Sequence, residues 1–371
     1  MDLTENPRNR ADNFSTFKNS TLFYPYLSLV NQETIDGIRK ILAQSKTHEA
    51  IAQLEGLLMS WETSQQIERK TEHIADLYQA NRLLLAHNAH QNQLIKTGFT
   101  EFDALFGGFA LGENVVIGGR PSMGKTQLLV NLAGNMAKKW PVLFLSYDLS
   151  LAWLTYRFIS LFTGIAMNKI VQQDLTEAER KLIQNSKEQF DALKLFVNDS
   201  CSNNLFSFRE LCKKQIEENG IKVIVIDYLQ LMSLSKHYGN RENEISKIYR
   251  ELKNIARDFN VCVIASSQLS RALELKDSNK IPKLTDLRDS GAIEQDADKV
   301  IWIYRPEYYH FYEFEDGSQT KNYALMIMAK NKNGPLGSVR IRRDDSFTKF
   351  SDDEPSTMDF TFAPDRINEI N

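Results

Sequence analysis

The run Gly119-Arg120-Pro121-Ser122-Met123-Gly124-Lys125-Thr126 is a complete G-x-x-x-x-G-K-T pattern, and nothing else in the chain constrains its fold as strongly. Such a loop needs a strand before it and a helix after it. Residues 115–117 are an apolar strand-like run, and Leu128, Leu129, Leu132 and Met136 mark one face of a helix beyond it. In that context Gly119 and Gly124 let the backbone turn its N–H groups towards phosphate oxygens, beside the helix N-terminus. Lys125 is expected to reach the β- and γ-phosphates and the Thr126 hydroxyl to ligate Mg²⁺. Arg120, Pro121, Ser122, Met123 and Gln127 complete the expected phosphate cradle. The motif predicts a nucleoside-triphosphate site.

A second anchor lies about 100 residues on. Val223-Ile224-Val225-Ile226-Asp227 reads as a buried strand ending in an acid at the carboxyl edge of a parallel sheet. Asp227 is then the expected Walker-B carboxylate, beside the Mg²⁺ held by Thr126. Hydrolysis also needs a group that orients or deprotonates water. Asp148 follows the next apolar run at the same edge and fits that role; the alternative is a cap on the following helix, which Ser150 serves equally well. Gln268 follows a further strand and is placed to sense the γ-phosphate.

From about residue 97 onward, apolar runs at 114–118, 142–146, 195–197, 222–227, 261–266, 299–304 and 324–329 alternate with helical patterns at 125–138, 150–162, 176–189, 207–218 and 241–259. That alternation predicts an α/β fold, a mostly parallel sheet flanked by helices. Ser207 is a candidate cap and Gly220 a candidate stop for one helix, and 309–322 reads as a loop or hairpin tip around Asp316-Gly317. Residues 1–20 are expected to be disordered. A small all-helical region is expected at 21–96, its periodicity running from about residue 31 to 94, either a bundle of its own or an arm contacting another subunit. Residues 351–371 carry six carboxylates to one arginine and are expected to form a loosely ordered tail.

A net charge of −3 excludes nucleic-acid binding by a globally basic surface; local loops, multiplied by a symmetric assembly, would have to supply it. No run of about 18 apolar residues exists, and the polar start lacks a signal core, so a cytoplasmic protein without membrane attachment is expected. Cys201, Cys212 and Cys262 have neither disulfide arithmetic nor zinc-ligand spacing and read as reduced thiols.

Taken together, TGFTEFDALFGGF (97–109), GGRPSMGKT (118–126), VIVIDYLQLM (223–232), SSQLSRALE (266–274), LRDSGAIEQDADKVIWIYR (287–305) and AKNKNGPLG (329–337) resemble the C-terminal ATPase domain of DnaB-type replicative helicases. The likeness runs from 97 to 350 and implies a RecA-like P-loop ATPase. It implies a hexameric ring that threads single-stranded DNA and holds ATP between neighbours. Carried over by position, Lys125 and Thr126 bind phosphate and Mg²⁺, Asp227 is the Walker-B acid and Gln268 the sensor. Arg288, Asp289 and Gly291 stand in the pore loop that holds the DNA backbone. A helicase loader or a primase is the further partner suggested.

Three departures bear on this. Asp148 stands where the family has a catalytic glutamate. In the family's Lys-x-Arg-Asn-Gly hairpin Lys330 is retained, but the arginine finger is Lys332, which keeps the charge without the planar fork; slow turnover is expected unless Lys330 and a nearby Arg340, Arg342 or Arg343 compensate. Residues 1–96 are too short for the family's N-terminal domain, and the resemblance implies the family's linker helix as an alternative identity for their third helix. Two other readings follow: a nucleotide-gated DNA-binding or scaffold protein impaired in hydrolysis, and a recombination or clock-type RecA-like ATPase, which the 287–305 block fits badly.

Overall fold

In the computed structural model of the chain, the described residues are 94–200, 205–228, 241–269, 280–287 and 295–353, with a few positions between 73 and 82. The segment expected to be disordered, nearly all of the expected N-terminal helices, and the pore-loop positions Arg288, Asp289 and Gly291 lie outside them.

The strands are β1 (Asn114–Gly119), β2 (Val142–Ser146), β3 (Leu195–Asn198), β4 (Val223–Asp227), β5 (Cys262–Gln268), β6 (Lys299–Tyr304), β7 (Tyr323–Asn331), β8 (Gly337–Arg343) and β9 (Phe350–Asp352). They form one sheet in the order β3-β2-β4-β5-β1-β6-β7-β8-β9. From β3 through β6 neighbouring strands run parallel, and β7, β8 and β9 extend the sheet antiparallel. The chemistry of each strand fits its place. β1, β2 and β4 are buried at every position, as strands covered on both faces must be. In β7 burial alternates, with Ala324, Met326 and Met328 turned inward, the signature of a strand covered on one face.

The helices are α1 (Thr100–Phe106), α2 (Lys125–Ala137), α3 (Leu151–Thr163), α4 (Met167–Gln172), α5 (Glu177–Asn185), α6 (Lys187–Asp191), α7 (Leu205–Asn219) and α8 (Arg241–Asp258). α2 is buried on almost every side, because the sheet covers one flank and the turn between β8 and β9 another. α8 keeps the amphipathic stripe read from sequence, with Ile245, Ile248, Tyr249, Leu252, Ile255 and Ala256 all buried.

Several expectations change. The helix expected at 176–189 is two, α5 and α6, meeting at Ser186, and α5 opens with a Thr176–Glu179 capping box. Ser207 lies inside α7 rather than capping it. Gly220 does end that helix, at φ +63°, where a side chain would be strained. The expected hairpin tip is present, with Glu313 bridged to Gln319 around Asp316-Gly317. The ordered domain does not stop at 350. β9 carries it on to Asp352, whose carboxylate accepts the Thr100 N–H and hydroxyl at 2.7 Å each and so caps α1.

Candidate functional site

Six parallel strands bring their carboxyl ends to one edge, and the residues expected to handle phosphate gather there. Gly124 has φ +97° and sits under Phe350, whose ring carbon a Cβ would meet at 3.0 Å. Gly119 is different from expectation. It ends β1 in extended backbone, and its small size is required because a Cβ would stand 2.8 Å from Ile303 Cγ2. Lys125 folds back over the loop, donating to Gly119 O at 2.8 Å and Arg120 O at 3.0 Å. Burial lowers its ammonium pKa to about 8; Asp227 opposes the shift and Arg120 adds to it. Those carbonyls are what a phosphate would displace.

Asp227 ends β4 and is 2% exposed. Ser266 Oγ donates to its Oδ1 at 2.7 Å, while Oδ2 has no hydrogen-bond partner among the described residues. Burial pushes this carboxyl up, and the Asp148 charge adds to the effect; Ser266, Thr126 and Lys125 draw it down. A buried carboxylate with an unpaired oxygen beside a threonine hydroxyl suits a hard cation. No three His, Cys, Asp or Glu side chains converge among the described residues. Gln268 is the last residue of β5, in register with Gly119, so it flanks the first glycine of the loop. Asp148 lies two residues past Ser146, which is paired with Asp227. It is exposed and does not occupy the cap of α3: Ser150 stands there without a side-chain bond, and Asp199 accepts from Leu151 N at 2.9 Å.

Other residues reach this edge that the sequence did not announce. Arg157 on α3 donates to Gln127 Oε1 at 3.3 Å, and its Nε is buried without a partner among the described residues. Burial lowers its pKa, while Asp227 and Asp148 pull it back up, so the guanidinium stands within the field of both acids. Arg305 donates to the carbonyl of Ser122 in the loop at 3.1 Å, and Arg305 and Arg343 both lie over the ring of half-exposed Phe347. An arginine on a helix or a strand end reads as a solvated residue, so no local pattern flags these.

Lys330 and Lys332 lie at the opposite edge. Lys330 pairs with Val300 and Asn331 with Lys299, so the end of β7 sits where the parallel strands begin. Lys332 follows there, its N–H donating to Asp298 O at 3.0 Å. Arg342 pairs with Tyr323 at the other end of β7, about 25 Å away along the strand. Arg340, Arg342 and Arg343 therefore do not stand beside Lys332, contrary to the expectation that they are near it.

The DnaB-like helicase C terminal domain family matches residues 95–352. A probable replicative DNA helicase of Trieres chinensis is 40% identical over 262 residues, which are 70% of this chain and 57% of that protein. Among solved structures, an ATPase domain aligns with a TM-score of 0.68 at 30% identity, over 77% of this chain and 100% of that one. A DnaB-like replicative helicase, described with its interactions with primase, aligns at 0.66 and 27% identity over 94% of this chain and 78% of that one. The chain spans a little over half the length of the curated relatives it matches.

Proposed function

Because the chain belongs to the DnaB-like helicase C-terminal domain family and has its RecA-like fold, we propose that it hydrolyses ATP to move along single-stranded DNA. In this reading it unwinds duplexes in DNA replication as a hexameric ring. The observation that carries the reading is the separation of charged groups between two edges of one sheet. The phosphate loop, Asp227, Gln268 and Asp148 share the carboxyl edge, and Lys330 and Lys332 occupy the other. A chain so built completes its triphosphate pocket with a cation from a neighbour.

In this reading the roles are carried over by position in the family's motifs, with the shared carboxyl edge in support. Loop N–H groups and Lys125 hold the β- and γ-phosphates once the ammonium leaves the carbonyls of Gly119 and Arg120. Thr126 and Asp227 would hold Mg²⁺, which would supply charge neutralisation on the phosphates. Asp148 orients the attacking water, and Gln268, in register with the loop, senses the terminal phosphate. Lys332, with Lys330 beside it, offsets charge on the neighbour's transferring group. Arg288 and the Gly291 backbone grip DNA phosphates, contacts that position a strand without reading its sequence. A loader or a primase would be engaged through surfaces outside these groups.

Steady-state ATPase with and without single-stranded DNA tests the proposal. Turnover should rise with DNA, and Lys125→Ala should abolish it; an ATPase indifferent to DNA would refute translocation. A second reading, a nucleotide-gated scaffold, is favoured by Asp148 and Lys332 standing where glutamate and arginine are expected. An arginine finger is worth about 10³–10⁵ in rate. If Asp148→Glu combined with Lys332→Arg accelerates a barely turning wild type by even a small part of that, the scaffold reading holds.

A further inference from the structure

The amino edge of the sheet holds a charge cluster of which these roles use only Lys332. Asp298, immediately before β6, is 6% exposed. Its Oδ2 accepts from Asn114 N at 2.8 Å and Lys253 Nζ at 2.5 Å, and its Oδ1 accepts from Lys332 Nζ at 3.1 Å. The Asp298 carbonyl also accepts the Lys332 N–H at 3.0 Å, so Lys332 is tied to one residue by backbone and side chain together. Lys253 has a second acceptor in Gly112 O at 3.1 Å and is mostly buried, whereas the Lys332 side chain is 42% exposed.

A carboxylate beside a catalytic cation ordinarily cancels its field. Here two ammonium groups share one carboxylate, so the cluster keeps a net charge of +1 with Lys332 outermost. An ammonium has three donors, and among the described residues Lys332 spends one on Asp298. We propose that Asp298, neutralised by Lys253 from α8, is the positioning residue that presents Lys332 to the triphosphate of an adjoining copy of the chain. The hydrogen bonds from Asn114, Lys253 and Lys332 overcome the burial that would raise its pKa and keep Asp298 ionised for this task. The inference rests on the reading that Lys332 acts across a subunit boundary.

Subunit mixing separates the two claims. Asp298→Asn retains an acceptor for Asn114 N but gives up both ion pairs, and misplacing a charged group by about 1 Å can cost on the order of 10²-fold in rate. The variant should lose roughly 10–100-fold in kcat, with the KM for ATP changed little. Co-purified in equal amounts with Lys125→Ala, it should give more ATPase than the two alone, because Lys125→Ala copies present an intact Asp298–Lys332 pair to the sound phosphate loops of their neighbours. Lys332→Ala mixed with Lys125→Ala is the reference. Recovery there without recovery for Asp298→Asn would confine Asp298 to its own chain and overturn the inference. No recovery in either mixture would remove action across the boundary, and the inference with it. Should Asp298→Asn fail to fold, Lys253→Met replaces it: it leaves Asp298 and Lys332 in place, should lower kcat and be complemented in the same way, and Lys253→Arg should restore the rate. A Lys253→Met enzyme with wild-type kcat would overturn the role given to the cluster.

Discussion

Lys125 shows what burial does to a cation that has to meet an anion. Its ordinary pKa of 10.5 falls to about 8 because the ammonium is desolvated with only carbonyls for partners. Between those two values the unfolded chain binds more protons than the folded one. Stability from this group therefore rises as pH climbs from about 8 to 10.5, and its burial penalty is fully present below 8. Nucleotide binding has the opposite sign. The triphosphate needs the charged form, so affinity should be flat below pH 8 and then weaken about tenfold per pH unit, with one proton taken up on binding near pH 9. Calorimetric titration in buffers of different ionisation enthalpy reads both effects. Equal affinity and no proton uptake at pH 7 and 9 would mean either that burial does not depress the Lys125 ammonium or that Lys125 takes no part in binding.

At the scale of elements, the parallel strands were legible because a strand buried on both faces has to be apolar throughout, as in Val223-Ile224-Val225-Ile226. β8 and β9 were not, since Gly337–Arg343 carries three arginines and turns only Val339, Ile341 and Arg343 inward. α1 and α4 span fewer than two turns each, too little for a period to show. The site divides in the same way. Loop residues and Asp227 belong to contiguous motifs, whereas Arg157 and Phe347 reach the loop only through packing of α3 and of the turn after β8. That turn is joined to the phosphate-loop helix by Asn131, which accepts from Phe350 N at 3.2 Å and donates to Phe350 O at 3.1 Å, as a neighbouring strand would. Asn131→Ala strands both backbone groups in a buried place, each at about 1–3 kcal/mol. A loss of about 2–4 kcal/mol in urea unfolding is expected, together with faster proteolysis after β8. An unchanged midpoint would show that water replaces Asn131 and that β9 is only loosely joined to α2.

For the whole molecule, sheet direction is the deciding fact. Six parallel strands put every phosphate-handling group at one edge, and antiparallel β7 returns Lys330 and Lys332 to the other, the length of a strand away. No side chain spans that distance, so in the proposed reading the cations that face the triphosphate come from a neighbouring copy. Net charge points the same way. At −3 the chain has little general attraction for a polyanion, and a few cations per copy become a continuous basic track only when copies are arranged around a common axis. On the proposed reading, turnover depends on assembly rather than on folding alone. Specific ATPase activity per chain should then fall on dilution, following the oligomer fraction measured by light scattering under the same conditions, while circular dichroism stays constant. Single-stranded DNA should shift the fall to lower protein concentration, since a strand held by several copies links them. Activity strictly proportional to concentration down to a demonstrable monomer would place a complete pocket within one chain, and Lys332 would then have no site to serve.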